Sequence, residues 1–241
     1  MQEKTQGPRI LGIIPARAGS KGVPGKNMRE VCGKTLIQWA LDAASQVTLI
    51  DRLIVSSDDE RILSVAQQIS DELPVRRPAE LADDESTAVE YVEHALDYCE
   101  THFGETFDIV VIIQVTSPLT LPEDIDGTIR KLLEHRAPSA ASVVRIPVDV
   151  HPIKMKKLQD QVLVPAVEDE KGRMATHHFG DIYVRNGSVY ASRTEVFRGG
   201  QVLGEPCLGY VMPRERSVDI NEEFDMVYAE FLMQRSEALK A

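Results

Sequence analysis

Apolar positions along the first 146 residues follow two alternating periods. RILGIIP at 9–15 is short, β-branched and nearly all apolar, as a strand covered on both faces requires. From Thr35, Ile37, Ala40, Leu41 and Ala44 follow the helical period, and RLIVSS at 52–57 predicts the next strand. Ile62, Val65, Ala66 and Ile69 mark a second helix. After a connection over 74–84, Val89, Val92, Leu96, Cys99 and Phe103 line one face of a longer one. DIVVIIQ at 108–114 is the most apolar strand of the chain and should be central. Ile125, Ile129, Leu132 and Leu133 give a further helix, and SAASVVRI at 139–146 a further strand.

Strand and helix in repetition, joined by right-handed crossovers, predict an α/β fold: a Rossmann-like, mostly parallel sheet with helices on both faces. Ligands of such sheets lie outside the carboxyl ends of the strands, where 16–27, 57–60 and 114–121 emerge. The alternation fails over 148–183, which has short alternating pieces and charge clusters without a clear helix and looks inserted. A two-stranded extension there would be marginal alone, which suggests pairing with another subunit. NGSVYASR and CLGYVMP then predict short strands. A last helix shows Phe224, Val227, Tyr228, Phe231 and Leu232 on one face. The 241 residues suit a single domain, 1–241, carrying the insertion.

Charge separates one loop from the rest. The net charge of −11 makes the surface repel polyanions, which disfavours nucleic acid and acidic membranes as main partners. Between Arg9 and Lys34, however, six basic residues face the single acid Glu30. Cys32, Cys99 and Cys207 are odd in number and far apart, which points to a reducing compartment without a disulfide framework or zinc ribbon. With no apolar leader and no run of the roughly 18 residues needed to span a membrane, the expectation is a soluble cytoplasmic protein.

The basic loop, PARAGSKGVPGKN, holds Gly19, Gly22 and Gly25 at even spacing, with Arg17, Lys21 and Lys26 among them. It is not a Walker loop, because Gly25-Lys26 is followed by Asn27 and Ser20 stands where the first glycine belongs. It does not match the dinucleotide fingerprint either, which disfavours NAD. Its glycines still permit close backbone approach, inward N–H groups and converging cations, the ingredients of a triphosphate site, with Arg17 offering a planar fork.

That run resembles the N-terminal signature of the acylneuraminate cytidylyltransferases, the CMP-sialic acid synthetases and their legionaminic and pseudaminic acid relatives. RPAEL at 77–81, QVTSPL at 114–119, RNGSVYA at 185–191 and SVDINEEFD at 217–225 resemble later blocks of the family in the same order. The resemblance implies a fold of the nucleotide-diphospho-sugar transferase type and transfer of CMP from CTP to a nine-carbon α-keto acid sugar. It also implies a homodimer through 148–183. It places the nucleotide on Ala16, Arg17, Ala18, Gly19, Ser20, Lys21, Gly22, Lys26, Asn27, Arg77, Ser86 and Thr87, with Arg17 and Lys26 catalytic. The sugar falls to Gln114, Thr116, Ser117, Lys154 and His177, and Mg2+ to Asp219 and Asn221. Without the resemblance, Arg77 fits a surface ion pair, Gln114 a strand-end hydrogen bonder and Lys154 a solvated lysine.

Family members commonly carry a second aspartate where this chain has Asn221. The amide oxygen can still coordinate without charge, or Asn221 can cap the helix near Glu222. Thr176-His177-His178 replaces an arginine-containing stretch and Thr120 a frequent arginine, which leaves the sugar open among nonulosonic acids. Adjacent histidines on a strand point to opposite faces, which disfavours a metal site there. The alternatives are a related transferase acting on Kdo or a sugar 1-phosphate, and a non-catalytic anion-binding homologue.

Overall fold

A computed structural model of the chain describes residues 7–19, 22–167 and 180–238. Its frame is a seven-stranded sheet made of β1 (Ile10–Pro15), β4 (Arg52–Ser57), β5 (Pro74–Arg76), β6 (Ile109–Ile113), β7 (Ser139–Arg145), β10 (Tyr183–Arg193) and β11 (Cys207–Val211). The order across it is β11-β7-β10-β6-β1-β4-β5, and only β10 runs antiparallel to its neighbours. Two short ribbons stand apart: β2 (Glu30–Val31) with β3 (Lys34–Thr35), and β8 (Lys156–Gln159) with β9 (Val162–Pro165).

The two-residue period of the strands divides the core into two layers. Ile10 and Ile14 of β1, with Ile109, Val111 and Ile113 of β6, face one layer. It is closed by α1 (Leu36–Ala44), α2 (Glu60–Gln67), α4 (Pro122–His135) and α6 (Glu223–Ala238). Leu11 and Ile13, with Val110 and Ile112, face the other, closed by α3 (Ala88–Phe103) and by Phe197 of α5 (Thr194–Arg198). All five residues of β6 are buried, as expected of the central strand. Two helices start in capping boxes, Thr35 with Gln38 and Thr87 with Glu90, so their first turns bind their own free N–H groups.

The last helix departs from its expected orientation. Met226, Ala229 and Met233 are the buried positions of α6, while Phe224 and Phe231 stand 72% and 54% exposed and Val227 is also exposed. The chain carries apolar residues on both sides of this helix, and the side bearing Met226, Ala229 and Met233 joins the core layer that also holds Val31 and Trp39. Ile69 lies beyond the end of α2 and is exposed. The inserted segment does form a hairpin, β8–β9, turning through Asp160 and Gln161, both at positive φ as a two-residue reversal requires. β10 begins earlier than expected, at Tyr183, and pairs with β7 from there.

Candidate active site

β1, β4, β5 and β6 run parallel, so their carboxyl ends share one edge, and a cavity of about 440 Å³ opens there. Its wall includes Arg17, Gly19, Gly22, Lys26, Asn27, Arg77, Ser86, Gln114, Thr116 and Asn221. Residues from five separate stretches of sequence, all expected at the site, therefore meet in one place.

The basic loop leaves β1 at Pro15 and folds back onto the segment before α6. Gly25 takes φ +62°, a left-handed turn that glycine adopts without strain, just before the 3-10 turn at Lys26–Met28. Gly22 packs against the carbonyl oxygen of Asn221 so closely that a Cβ there would collide with it. The Lys26 ammonium donates to the Ile220 carbonyl at 2.5 Å, and Asn27 Nδ2 donates to the Arg17 carbonyl at 2.9 Å. Burial holds the Lys26 pKa below the usual lysine range, opposed by Asp219 and Asp225 and reinforced by Arg17.

Arg17 reaches across the cavity mouth. Its Nη1 donates to the Asp83 carbonyl at 2.7 Å and its Nη2 pairs with Asp84 at 2.9 Å. Arg77 is no surface ion pair, being 5% exposed. Its Nε donates to Ser56 Oγ at 3.0 Å, its Nη2 to the Ser56 carbonyl at 2.9 Å, and its guanidinium lies 4.5 Å from the Tyr91 ring centre. Burial lowers its pKa, with Tyr91 and Asp58 pulling the other way. Burying such a cation costs several kcal/mol, and a desolvated cation–π contact returns only about 2 kcal/mol. The remaining donors therefore suit an electron-rich ligand group in the cavity.

Several expected residues do not line the cavity. The Ala16 N–H donates to the Ser56 carbonyl, and the Ala18 N–H donates to the Asp58 carboxylate at 2.8 Å, so neither amide points freely inward. Thr87 caps α3 and does not line the cavity, whereas Ser86 does. Ser117 is buried, and its hydroxyl has no hydrogen-bond partner among the described residues. Thr120 lines a separate cavity with Trp39 and Met233. Lys154 sits 3.5 Å from Asp149 beside the hairpin, away from the cavity of its own chain. Ser20, Lys21 and His177 lie outside the described residues.

Asp219 stands next to the cavity, and its Oδ2 accepts from Asn221 Nδ2 at 3.1 Å. Asn221 does not cap α6: the carboxylate of Asp225 accepts the N–H groups of Asn221 and Glu222, at 2.8 and 2.9 Å. Among the described residues there is no cluster of three His, Cys, Asp or Glu side chains arranged for a metal. The oxygen donors of Asp219 and Asn221 still suit Mg2+, which commonly takes one or two protein oxygens beside water and phosphate. The glycine at 187 keeps the Asp219 carboxylate uncrowded, since a Cβ there would stand 3.0 Å from its Cγ.

Asp83, Asp84 and Tyr91 line the cavity and were not expected there. The acidic pair follows the RPAEL block after one residue, Ala82, and Tyr91 lies one helical turn past the Thr87 cap, which is the only local signal they carry.

A family model described as cytidylyltransferase matches residues 11–197. The chain belongs to the cytidylyltransferases. It is 32% identical over 229 residues to the CMP-N,N'-diacetyllegionaminic acid synthase of Legionella pneumophila, covering 94% of this chain and 97% of that one. It is 25% identical over 227 residues to the pseudaminic acid cytidylyltransferase of Campylobacter jejuni, covering 92% and 95%. Among solved structures, a CMP-2-keto-3-deoxy-manno-octonic acid synthetase complexed with CTP superposes with a TM-score of 0.68 at 17% identity, covering 95% of this chain and 99% of that one. At that identity the likeness establishes the fold. No described helix of this cytidylyltransferase is long and apolar enough to cross a membrane.

Proposed function

We propose that this cytidylyltransferase moves CMP from CTP to the anomeric hydroxyl of a nine-carbon α-keto acid sugar and releases pyrophosphate. The observation that carries the reading is the convergence of Arg17, Lys26, Arg77 and Gln114 on one strand-end cavity. It is supported by end-to-end similarity to enzymes of legionaminic and pseudaminic acid.

The sugar hydroxyl attacks the α-phosphorus in line, and negative charge grows on the departing pyrophosphate. Arg17 and Lys26 are fixed cations aimed at that charge, and preorganised donors of this kind lower the barrier more than a side-chain nucleophile would. Arg77 and Ser86 meet the cytosine end, while Gln114 and Thr116 orient the sugar. Asp219 and Asn221 would hold Mg2+, which when bound neutralises phosphate charge. The exposed Leu158, Val162 and Leu163 of the hairpin favour a homodimer in which 148–183 brings Lys154 to the second subunit. The three separated cysteines favour a cytoplasmic enzyme.

Pyrophosphate release from CTP and Mg2+ with legionaminic, pseudaminic, N-acetylneuraminic and Kdo acids tests the reading. Release is expected with a nine-carbon acid. Release with Kdo alone, or with none of the panel, overturns it.

A further inference from the structure

At the carboxyl edge of the sheet, the ladder between β7 and β10 breaks. Arg185 pairs with Val143 and Tyr190 with Ala141, so residues 186–189 bulge opposite Ser142. Asn186 lies in the bulge, 5% exposed, and a hydrogen-bond chain runs through it. The Val189 N–H donates to Ser142 Oγ at 2.9 Å, and Ser142 Oγ donates to Asn186 Oδ1 at 2.6 Å. Asn186 Nδ2 then donates to Ser217 Oγ at 2.9 Å, and Ser217 Oγ donates to the Pro213 carbonyl at 2.8 Å. Branches join it: Ser142 Oγ also lies 3.2 Å from the Val189 carbonyl, Asn186 Nδ2 lies 3.1 Å from Met212 Sδ, and the Ser188 N–H donates to Asn186 Oδ1 at 3.4 Å, so the buried amide is bonded at both of its polar atoms. An amide fits the middle of this chain because it accepts at one atom and donates at the other.

Ser217, the last side chain in it, stands two residues before Asp219. From the bulge, Gly187, at φ +76°, presents its backbone to the Asp219 carboxylate, and the Ser188 carbonyl accepts the Gln114 N–H at 3.0 Å. On the other side the Ile220 N–H donates to the Thr116 carbonyl at 2.8 Å. The segment bearing Asp219 is thus pinned between the ends of β6 and β10.

We infer that Asn186 is a positioning residue that holds the Asp219 carboxylate toward its cation by tying Ser217 to the β10 bulge. The inference rests on the proposed function. Groups that orient metal ligands from behind typically govern about 10–100-fold in metal affinity. A carboxylate at 186 could only accept, so Ser217 would have to leave the Pro213 carbonyl to meet it. Removing the Ser217 hydroxyl cuts the same link from the other end and leaves the Asn186–Ser142 bond in place.

The test uses the full chain with CTP and Mn2+ as a spectroscopic probe, with free Mn2+ read by electron paramagnetic resonance and folding followed by thermal melts. Asn186→Asp and Ser217→Ala should each raise the Mn2+ dissociation constant about 10-fold, the double variant little more than the singles, and excess Mn2+ should restore turnover. Melting points that fall while Mn2+ affinity stays at the wild-type value would overturn the inference and leave a structural asparagine. If Ser217→Ala melts like wild type and binds Mn2+ equally well, the inference is likewise overturned, whatever Asn186→Asp does. A wild-type chain that neither binds Mn2+ with CTP nor releases pyrophosphate would remove the proposed function and the inference together.

Discussion

On the strand-end side of the cavity, Arg77 is buried against Ser56 and Tyr91, and Lys26 is tied to Ile220. In the β8–β9 hairpin, by contrast, Leu158 and Leu163 stand 70% and 68% exposed, and beside it the Lys154 ammonium sits 3.5 Å from the Asp149 carboxylate. In the first region the cations are held by bonds within one chain. The second presents apolar surface that a marginal two-stranded ribbon cannot bury by itself. Buried, bonded cations thus gather at the strand ends, while the hairpin offers exposed apolar surface and a solvated lysine.

The sharpest way to break this contrast is Arg17→Ala. Loss of one preorganised donor typically costs about 10²–10³ in rate, and pyrophosphate release should fall by that factor while the thermal melt stays close to wild type. A variant that keeps its turnover would show that the loop is not the reacting end. Arg77→Lys comes next. Lysine cannot keep both Ser56 bonds and the flat contact with Tyr91, and a hydrogen bond to a charged group is worth about 1.5–3 kcal/mol. CTP affinity measured by calorimetry should therefore drop about 10–100-fold.

A smaller effect follows from pH. Burial lowers the Lys26 pKa, so in the free protein the ammonium is lost at a lower pH than in an ordinary lysine. Triphosphate binds the charged form. CTP affinity should accordingly weaken as pH rises through that lowered value, and Lys26→Arg, which stays charged, should flatten the decline. An identical alkaline decline in both proteins would remove Lys26 from the phosphate site. The smallest effect on the protomer belongs to the hairpin: Leu158→Ser with Leu163→Ser changes exposed positions and should shift stability by no more than about 0.5 kcal/mol each. Sedimentation should nevertheless show the dimer dissociating. A dimer that persists unchanged would locate the interface elsewhere.

Most strands and helices were legible because their periods are local, and β6, uniformly apolar over five residues, announced its central place. The basic loop was legible because its glycines and cations are interspersed within one short stretch of the chain. Less legible was the orientation of α6, where Phe224 and Phe231 carry the larger apolar signal yet Met226 and Met233 pack inward. Ser86 and Thr87 are neighbours in sequence, and only the capping box shows that one faces the cavity while the other closes a helix. Asp84 and Tyr91 join the site because the end of β5 lies beside the end of β4, a proximity that no spacing in the chain encodes.

By itself, the sequence determined the alternation of elements, the placement of positive charge in an otherwise acidic chain, and the kind of ligand that such a loop can grip. These follow from neighbouring residues, whose spacing sets periodicity and local charge. Tertiary structure alone decided that Arg77 is buried, that the carboxylates of Asp58 and Asp84 meet donors of the phosphate loop, and that Asn186 is linked through Ser217 to Asp219. Those relations depend on which strand ends lie side by side, and the pairing of a sheet is set by the burial of the whole core.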